Sequence, residues 1–145
     1  MKIVLQRVKS ASVSVDGKVI GSIDKGALIL VGFHAQDHAK TLEWMANKLI
    51  QLRYFEDTQG KMNLSLQEVQ GHLLVVSQFT LYGSCTEGRR PDFTQAAPAF
   101  IAKPLFDQFI TLLSHQLGPI QTGIFGARME VSLINDGPIT LILER

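Results

Sequence analysis

Residues 27–33, Ala-Leu-Ile-Leu-Val-Gly-Phe, carry no polar side chain. A strand with one wet face alternates polar and apolar residues, so an uninterrupted apolar run bounded by turn residues reads as a central strand buried on both faces. The rest of the chain has to supply the cover for those two faces.

The segments before it have the patterns to do so. Residues 3–15 alternate and are rich in Val, Ile and Ser, which predicts a long strand; Asp16-Gly17 supplies a hairpin turn into a return strand over 18–23. Lys25-Gly26 turns the chain again into the apolar run, so the opening third is expected to be an antiparallel meander. At Thr41 the period changes. Leu42, Met45, Leu49 and Leu52 fall on one helical face, with Trp44 and Ile50 widening it. A turn at 57–60, an extended stretch at 61–65, a short helical stretch and a strand over 73–81 follow. Residues 83–98 contain Gly, Arg, Pro and Asp without periodicity and predict a long loop of the kind that carries function.

A second helix begins between Pro98 and Pro104, repeats Leu105, Phe106, Phe109, Ile110, Leu113 and Leu117, and stops at Gly118-Pro119. Pro104 fits only the first turn or a kink. Two closing strands, 129–134 and 139–143, meet at the corner Asn135-Asp136-Gly137-Pro138. The sum is one α+β domain over residues 1–145.

Composition narrows the function. The single Cys85 cannot form an internal disulfide, and no stretch is long and apolar enough for a membrane span or a secretory leader. A reducing, soluble, cytoplasmic setting is expected. A net charge of +1 argues against a surface that is basic throughout. Lys2, Arg7 and Lys9, and the pair Arg89-Arg90, could still cluster on phosphate or be ordinary solvated charges. A mean hydropathy of +0.14 fits apolar surface hidden in an oligomer, or a generous core.

Familiar catalytic templates are absent. Ser77 and Thr80 have hydroxyls but no neighbouring base, and His34, His38, His72 and His115 stand apart from any Ser-His-Asp or Gly-x-Ser-x-Gly context. His38 and His115 are expected to face solvent on helices. There is no HExxH, no cysteine pair, no Asp-x-Asp-x-Asp-Gly loop, P-loop or GxGxxG turn, so neither a metal nor a cofactor is expected. Gly123 and Gly126 precede a strand rather than cradle a phosphate. Any chemistry has to draw on backbone groups and on the substrate itself.

Five segments together carry a resemblance. Gln6-Arg7-Val8 with Ala11-Ser12-Val13, Gly60-Lys61-Met62-Asn63, Ser77-Gln78-Phe79-Thr80-Leu81, Arg90-Pro91-Asp92-Phe93, and Asn135-Asp136-Gly137-Pro138-Ile139-Thr140 occur in the order seen in D-aminoacyl-tRNA deacylases of the bacterial and eukaryotic type. The chain resembles that family over essentially its full length. The related metazoan enzyme that removes L-alanine lacks the intact Ser-Gln-Phe-Thr-Leu form, so the D-specific branch is favoured. Ile139 stands where Val is common.

The resemblance implies antiparallel or mixed sheets in a barrel-like or layered core, with two main helices on one side. It implies hydrolysis of the ester that joins a D-amino acid to tRNA, with glycyl-tRNA also cleaved. Ser77, Gln78, Phe79 and Thr80 would form the catalytic segment, with amides around Phe79 and Thr80 serving the developing charge and the ribose 2′-hydroxyl assisting water. Gly137 and Pro138, joined by a cis peptide, would enter the partner's active site in a homodimer and reject L-amino acids. Arg7, Asn135 and Met129 would support these groups, and Lys2, Lys9, Arg89 and Arg90 are candidates for tRNA contact. The alternatives are a β-rich RNA-binding module without catalysis, a small-molecule or structural dimer, and L-alanyl-tRNA deacylation.

Overall fold

The computed structural model describes all residues from Met1 to Arg145. Its elements in chain order are β1 Lys2–Val15, β2 Lys18–Ile23, β3 Gly26–Gly32, α1 Ala39–Gln51, β4 Arg53–Glu56, β5 Met62–Ser65, β6 His72–Ser77, α2 Ala99–Leu117, β7 Gln121–Thr122 and β8 Glu130–Glu144.

β1 organises the sheet because, at 14 residues, it is about twice the usual strand length. Asp16 and Gly17, at φ 48° and 75°, make the tight hairpin into β2, which pairs Ala11 to Val15 of β1. β3 then pairs Lys2 to Val8 of the same strand. The expected meander is therefore corrected: β2 and β3 lie end to end beside β1, since one long edge has room for two short partners. The other edge of β1 belongs to β8 from Ser14↔Glu130 to Lys2↔Glu144. The two closing strands are thus one strand, interrupted where the ladder steps from Val8↔Asn135 to Gln6↔Thr140. Residues 136–139 form a bulge opposite Arg7 alone, with Ile139 still turned into the core.

β3 pairs β6 in parallel, and β6 pairs β7 in parallel, so the sheet is mixed. The crossover between β3 and β6 holds α1 and the β4–β5 hairpin; β4 and β7 are strands too short to leave a periodic signal. The short helical stretch expected after β5 is a run of turns with Gln70 at φ 52°. Pro104, expected in the first turn or at a kink, is the sixth residue of a continuous α2 and sits on its exposed side.

Alternation along β3 explains its apolar sequence. Ala27, Ile29 and Val31 enter the larger core under the two helices, with Ile3, Leu5, Met45, Leu49, Phe106 and Phe109. Leu28 faces a second core, with Val8, Ala11, Val13, Leu74 and Val76. Inward residues of β1 change core at its register shifts between Gln6 and Ser10, where the strand passes from one layer to the other. Trp44 does not widen the buried face of α1: it is 38% exposed and lies under the Arg145 guanidinium at 5.1 Å. Its direction falls outside the arc of Leu42, Met45, Ala46, Leu49 and Ile50. The result is an α+β fold with a bent, barrel-like sheet and both helices on one face.

Candidate active site

The parallel pair β3–β6 ends sooner than its sequence suggests, and that early end creates the site. The Gln78 amide donates to Val31 O at 2.7 Å, the last rung of this ladder; Phe79–Tyr82 then wind into a single 3₁₀ turn instead of extending the strand to Leu81. The first amides of such a turn have no partner within it. Phe79 and Thr80 N–H accordingly donate to no protein acceptor. Two neighbouring amides are left for a ligand.

Close packing holds the turn in place. A Cβ on Gly32 would lie 2.8 Å from Gln78 O, and one on Gly83 would lie 2.7 Å from the Phe93 ring and 2.9 Å from Thr80 O. Only glycine lets β3 and the following loop approach this closely. Phe79 and Phe93 meet edge to face at 5.3 Å.

Beside the turn is a mostly apolar cavity of about 610 Å³. Ser77, Gln78 and Phe79 line it together with Phe93, residues 96–99, Ala102, Phe125, Met129 and Val131. Met129 is fixed by packing against Gly123, where a Cβ would collide with its sulfur. Thr80 is exposed beside this group, and its hydroxyl accepts a hydrogen bond from Gln78 Nε2. No imidazole or carboxylate hydrogen-bonds to Ser77 or Thr80. The chemistry available is positioning and oxyanion stabilisation rather than activation of a side-chain nucleophile.

A second group forms around the bulge of β8. Gly137–Pro138 is cis and exposed. Arg7, only 3% exposed, holds the corner from beneath: Nη1 donates to Tyr54 O at 2.8 Å, Nε to Asp136 O at 3.2 Å and Nη2 to Gly137 O at 3.4 Å. The same guanidinium pairs with Asp136 Oδ2 at 3.0 Å and Glu56 Oε1 at 3.6 Å. Its burial removes Arg7 from the residues able to touch a phosphate backbone. Asn135 Nδ2 closes the bulge by donating to Arg7 O at 2.9 Å and Ile139 O at 3.1 Å. Gly137 and Pro138 do not line this cavity.

The remaining expected residues spread over the surface. Lys2 pairs with Glu144 at 3.3 Å and sits 4.9 Å from the Tyr82 ring centre. Burial, with Asp37 and Glu144 nearby, raises the Tyr82 phenol above its ordinary pKa. Lys9, Arg89 and Arg90 are exposed and unpaired. His38 caps α1, its Nδ1 accepting from Thr41 N at 3.4 Å, and His115 is exposed. The Gly60-Lys61-Met62-Asn63 segment leaves a turn and enters β5, held by Asp57, whose carboxylate accepts from the Lys61 and Gln59 amides and from Asn63 Nδ2. Those bonds, that from Lys61 foremost, hold the Asp57 carboxyl below its usual range. Ala97, Ala99, Ala102 and Phe125 were missed as lining residues, because small apolar side chains read identically in a core and in a pocket wall.

Comparison with known proteins places this geometry in a family. The family model described as D-Tyr-tRNA(Tyr) deacylase matches residues 4–144. The D-aminoacyl-tRNA deacylase of Desulfatibacillum aliphaticivorans is 54% identical over 144 residues, covering 99% of both chains. That of Exiguobacterium sibiricum is 52% identical over 145 residues, covering 100% of both. A solved structure described as c-Myc DNA Unwinding Element Binding Protein shares 41% identity and a TM-score of 0.94, over 100% of this chain and 99% of that one. A probable eukaryotic D-amino acid tRNA deacylase, at 19% identity and a TM-score of 0.86 over 98% of this chain and 97% of that one, shares the fold. With sequence and architecture matched end to end, the chain belongs to the D-Tyr-tRNA(Tyr) deacylase family of hydrolases that act on aminoacyl-tRNA.

Proposed function

We propose that this protein cleaves the ester of D-aminoacyl-tRNA to free tRNA and D-amino acid, a proofreading step for translation in the cytoplasm. The observation that carries this reading is the pair of unsatisfied amides, Phe79 and Thr80, at the mouth of an apolar cavity that lacks a side-chain base. An aminoacyl ester is already activated. Two N–H donors aimed at the developing oxyanion, with the substrate's 2′-hydroxyl assisting water, suffice for its hydrolysis.

An enzyme that accepts many D-amino acids has to hold what they share and leave the side chain free. The cavity suits the invariant part, the terminal adenosine, whose flat base fits between apolar walls flanked by Phe79 and Phe93. Rejection of L-amino acids falls to the Gly137-Pro138 corner of a second subunit, reaching the cavity across a two-fold interface. This division is supported by the corner's exposure and by its absence from the cavity of its own protomer. The unpaired outer edge of β8 and the exposed Ile134 and Ile142 are consistent with a partner there. Lys9, Arg89 and Arg90 remain available for tRNA phosphates.

Incubation with matched D-, L- and glycyl-tRNA tests the function directly. Turnover of the D-ester and measurable turnover of the glycyl ester, with the L-ester spared, is the expected pattern. Glycine has no side chain for the corner to reject. Binding without turnover would assign a non-catalytic RNA-binding module, and cleavage of L-alanyl-tRNA the L-specific relative.

Thr80 provides a separate check on mechanism. Thr80→Val keeps both backbone amides, so the rate of D-ester hydrolysis is expected to stay within about tenfold of wild type. Loss of a true nucleophile costs up to about a millionfold. A collapse on that scale would make the Thr80 hydroxyl the attacking group.

A further inference from the structure

A surface leading away from the cavity carries cations that the reaction does not use. It begins at the 3₁₀ turn Phe79–Tyr82, where Lys2 Nζ sits 4.9 Å from the Tyr82 ring. It continues to the neighbouring chain end: Arg145 N donates to Met1 O at 3.1 Å, and the Arg145 guanidinium lies 5.1 Å from the exposed Trp44 ring on α1. Lys40 and Lys48 lie one helical turn to either side of Trp44 on the same outward face.

Charge along this path is unbalanced. Glu144 is occupied by Lys2, and the Met1 ammonium takes both Asp37 at 2.7 Å and the Arg145 O at 2.8 Å, whereas the side chains of Lys40, Lys48 and Arg145 form no ion pair. Glu43 is the one unpaired acid on that helix face. A guanidinium held over a ring at cation–π distance is oriented and weakly hydrated, with donors still free for a planar or tetrahedral anion. Lys40 and Lys48 are about 12 Å apart along the helix, enough to follow several phosphates of one strand.

The geometry points to a phosphate-backbone track running from Lys2 beside the cavity over Arg145, Lys40 and Lys48, which docks the acceptor stem of the substrate RNA. Continuity with the cavity mouth and the surplus of unpaired cations select RNA as its occupant. The inference rests on the reading of the substrate as an aminoacyl-tRNA. It adds a second contact region to Lys9, Arg89 and Arg90, and the Trp44 that sequence periodicity assigned to the core becomes the platform that holds Arg145.

The test compares wild type with a Lys40→Gln, Lys48→Gln, Arg145→Gln triple variant on three probes: uncharged tRNA, D-aminoacyl-tRNA, and 3′-O-(D-aminoacyl)adenosine. All three positions are exposed, and an unchanged urea midpoint verifies the fold. For uncharged tRNA, the slope of log affinity against log salt is expected to become shallower by about 2 to 3, near 0.9 for each phosphate no longer neutralised. At low salt, kcat/KM for D-aminoacyl-tRNA is expected to fall at least about tenfold through KM. Hydrolysis of the aminoacyl-adenosine should be unchanged. Glu43→Gln, which removes the opposing charge, should tighten binding instead. An unaltered salt slope, or an equal drop in rate on the adenosine substrate, overturns the track. A wild-type protein that hydrolyses neither ester would overturn the proposed function, while the salt slope with uncharged tRNA would still decide the docking surface.

Discussion

A Gly137→Ala variant is expected to unfold at the wild-type urea midpoint and yet hydrolyse D-aminoacyl-tRNA about a hundredfold more slowly, the scale of loss that a misplacement of about 1 Å produces. The two halves of this expectation have separate causes. Within the protomer, a Cβ on Gly137 meets nothing closer than Asn135 Oδ1 at 4.0 Å, and this glycine is not among the residues with positive φ. The added methyl therefore costs the fold almost nothing, and it points into solvent from an exposed corner. Nothing within the chain is obstructed by it. If the corner completes a partner's cavity, the methyl intrudes where the α-carbon of the substrate has to sit.

Mixing experiments make that inference sharper. A second variant, Ala102→Leu, fills the cavity and leaves the corner intact. Random mixed dimers would join one intact cavity to one intact corner in half the particles, at one of two sites. Activity near a quarter of wild type would then return from two inactive parents, as about half of half of the sites regain both walls. No recovery in mixtures shown to exchange subunits, or equal loss of stability and activity in Gly137→Ala, would place the corner's role within one protomer.

How much of this was legible in the sequence depends on the range over which each signal acts. Alternation and helical spacing are local, and they located β1, β2, β3, α1 and α2 within a residue or two. Pairing is not local. Nothing in residues 3–15 announces that one edge of β1 serves β2 and β3 in succession and the other edge serves all of β8. The Asn135-Asp136-Gly137-Pro138 segment has the composition of a turn between two strands, yet a bulge of one continuous strand uses the same residues, because both need backbone freed from a regular ladder. β6 stops at Ser77 while its apolar pattern runs on, since the cavity and Phe93 offer Phe79 an aromatic contact that a further strand residue would not have.

Site residues divided along the same line. Ser77 and Thr80 stand out in the sequence only as hydroxyls without a neighbouring base, and the resemblance supplies the expected role of the segment. Arg7 read equally well as a phosphate ligand until its burial and its carbonyl partners were known. Sequence gives its charge; only the fold shows what that charge holds.

Arg7 should accordingly be a charged residue whose loss the fold tolerates poorly. Arg7→Leu leaves Tyr54 O without its buried donor and strips Asp136 O and Gly137 O of theirs. An unpaired buried acceptor costs about 1–3 kcal/mol. The corner carbonyls and the carboxylates of Asp136 and Glu56, whose side chains are 36% and 53% exposed, can turn to water, so most of the cost falls on the Tyr54 carbonyl. A destabilisation of about 2–4 kcal/mol is expected, a large share of the roughly 5–15 kcal/mol typical of a domain this size. It would be read as a lower urea midpoint at unchanged slope.

Arg7→Lys separates bracing from charge. A lysine keeps the positive charge beside Asp136 and Glu56, but a single ammonium cannot reach Tyr54, Asp136 and Gly137 carbonyls from one buried stem. Part of the stability should return while hydrolysis of D-aminoacyl-tRNA stays low, because the corner would be charged beneath but no longer held. Full activity in Arg7→Lys would mean that charge alone is required and that the fork-shaped brace is dispensable. An unmoved midpoint in Arg7→Leu would go further, detaching the guanidinium from the stability of the bulge altogether.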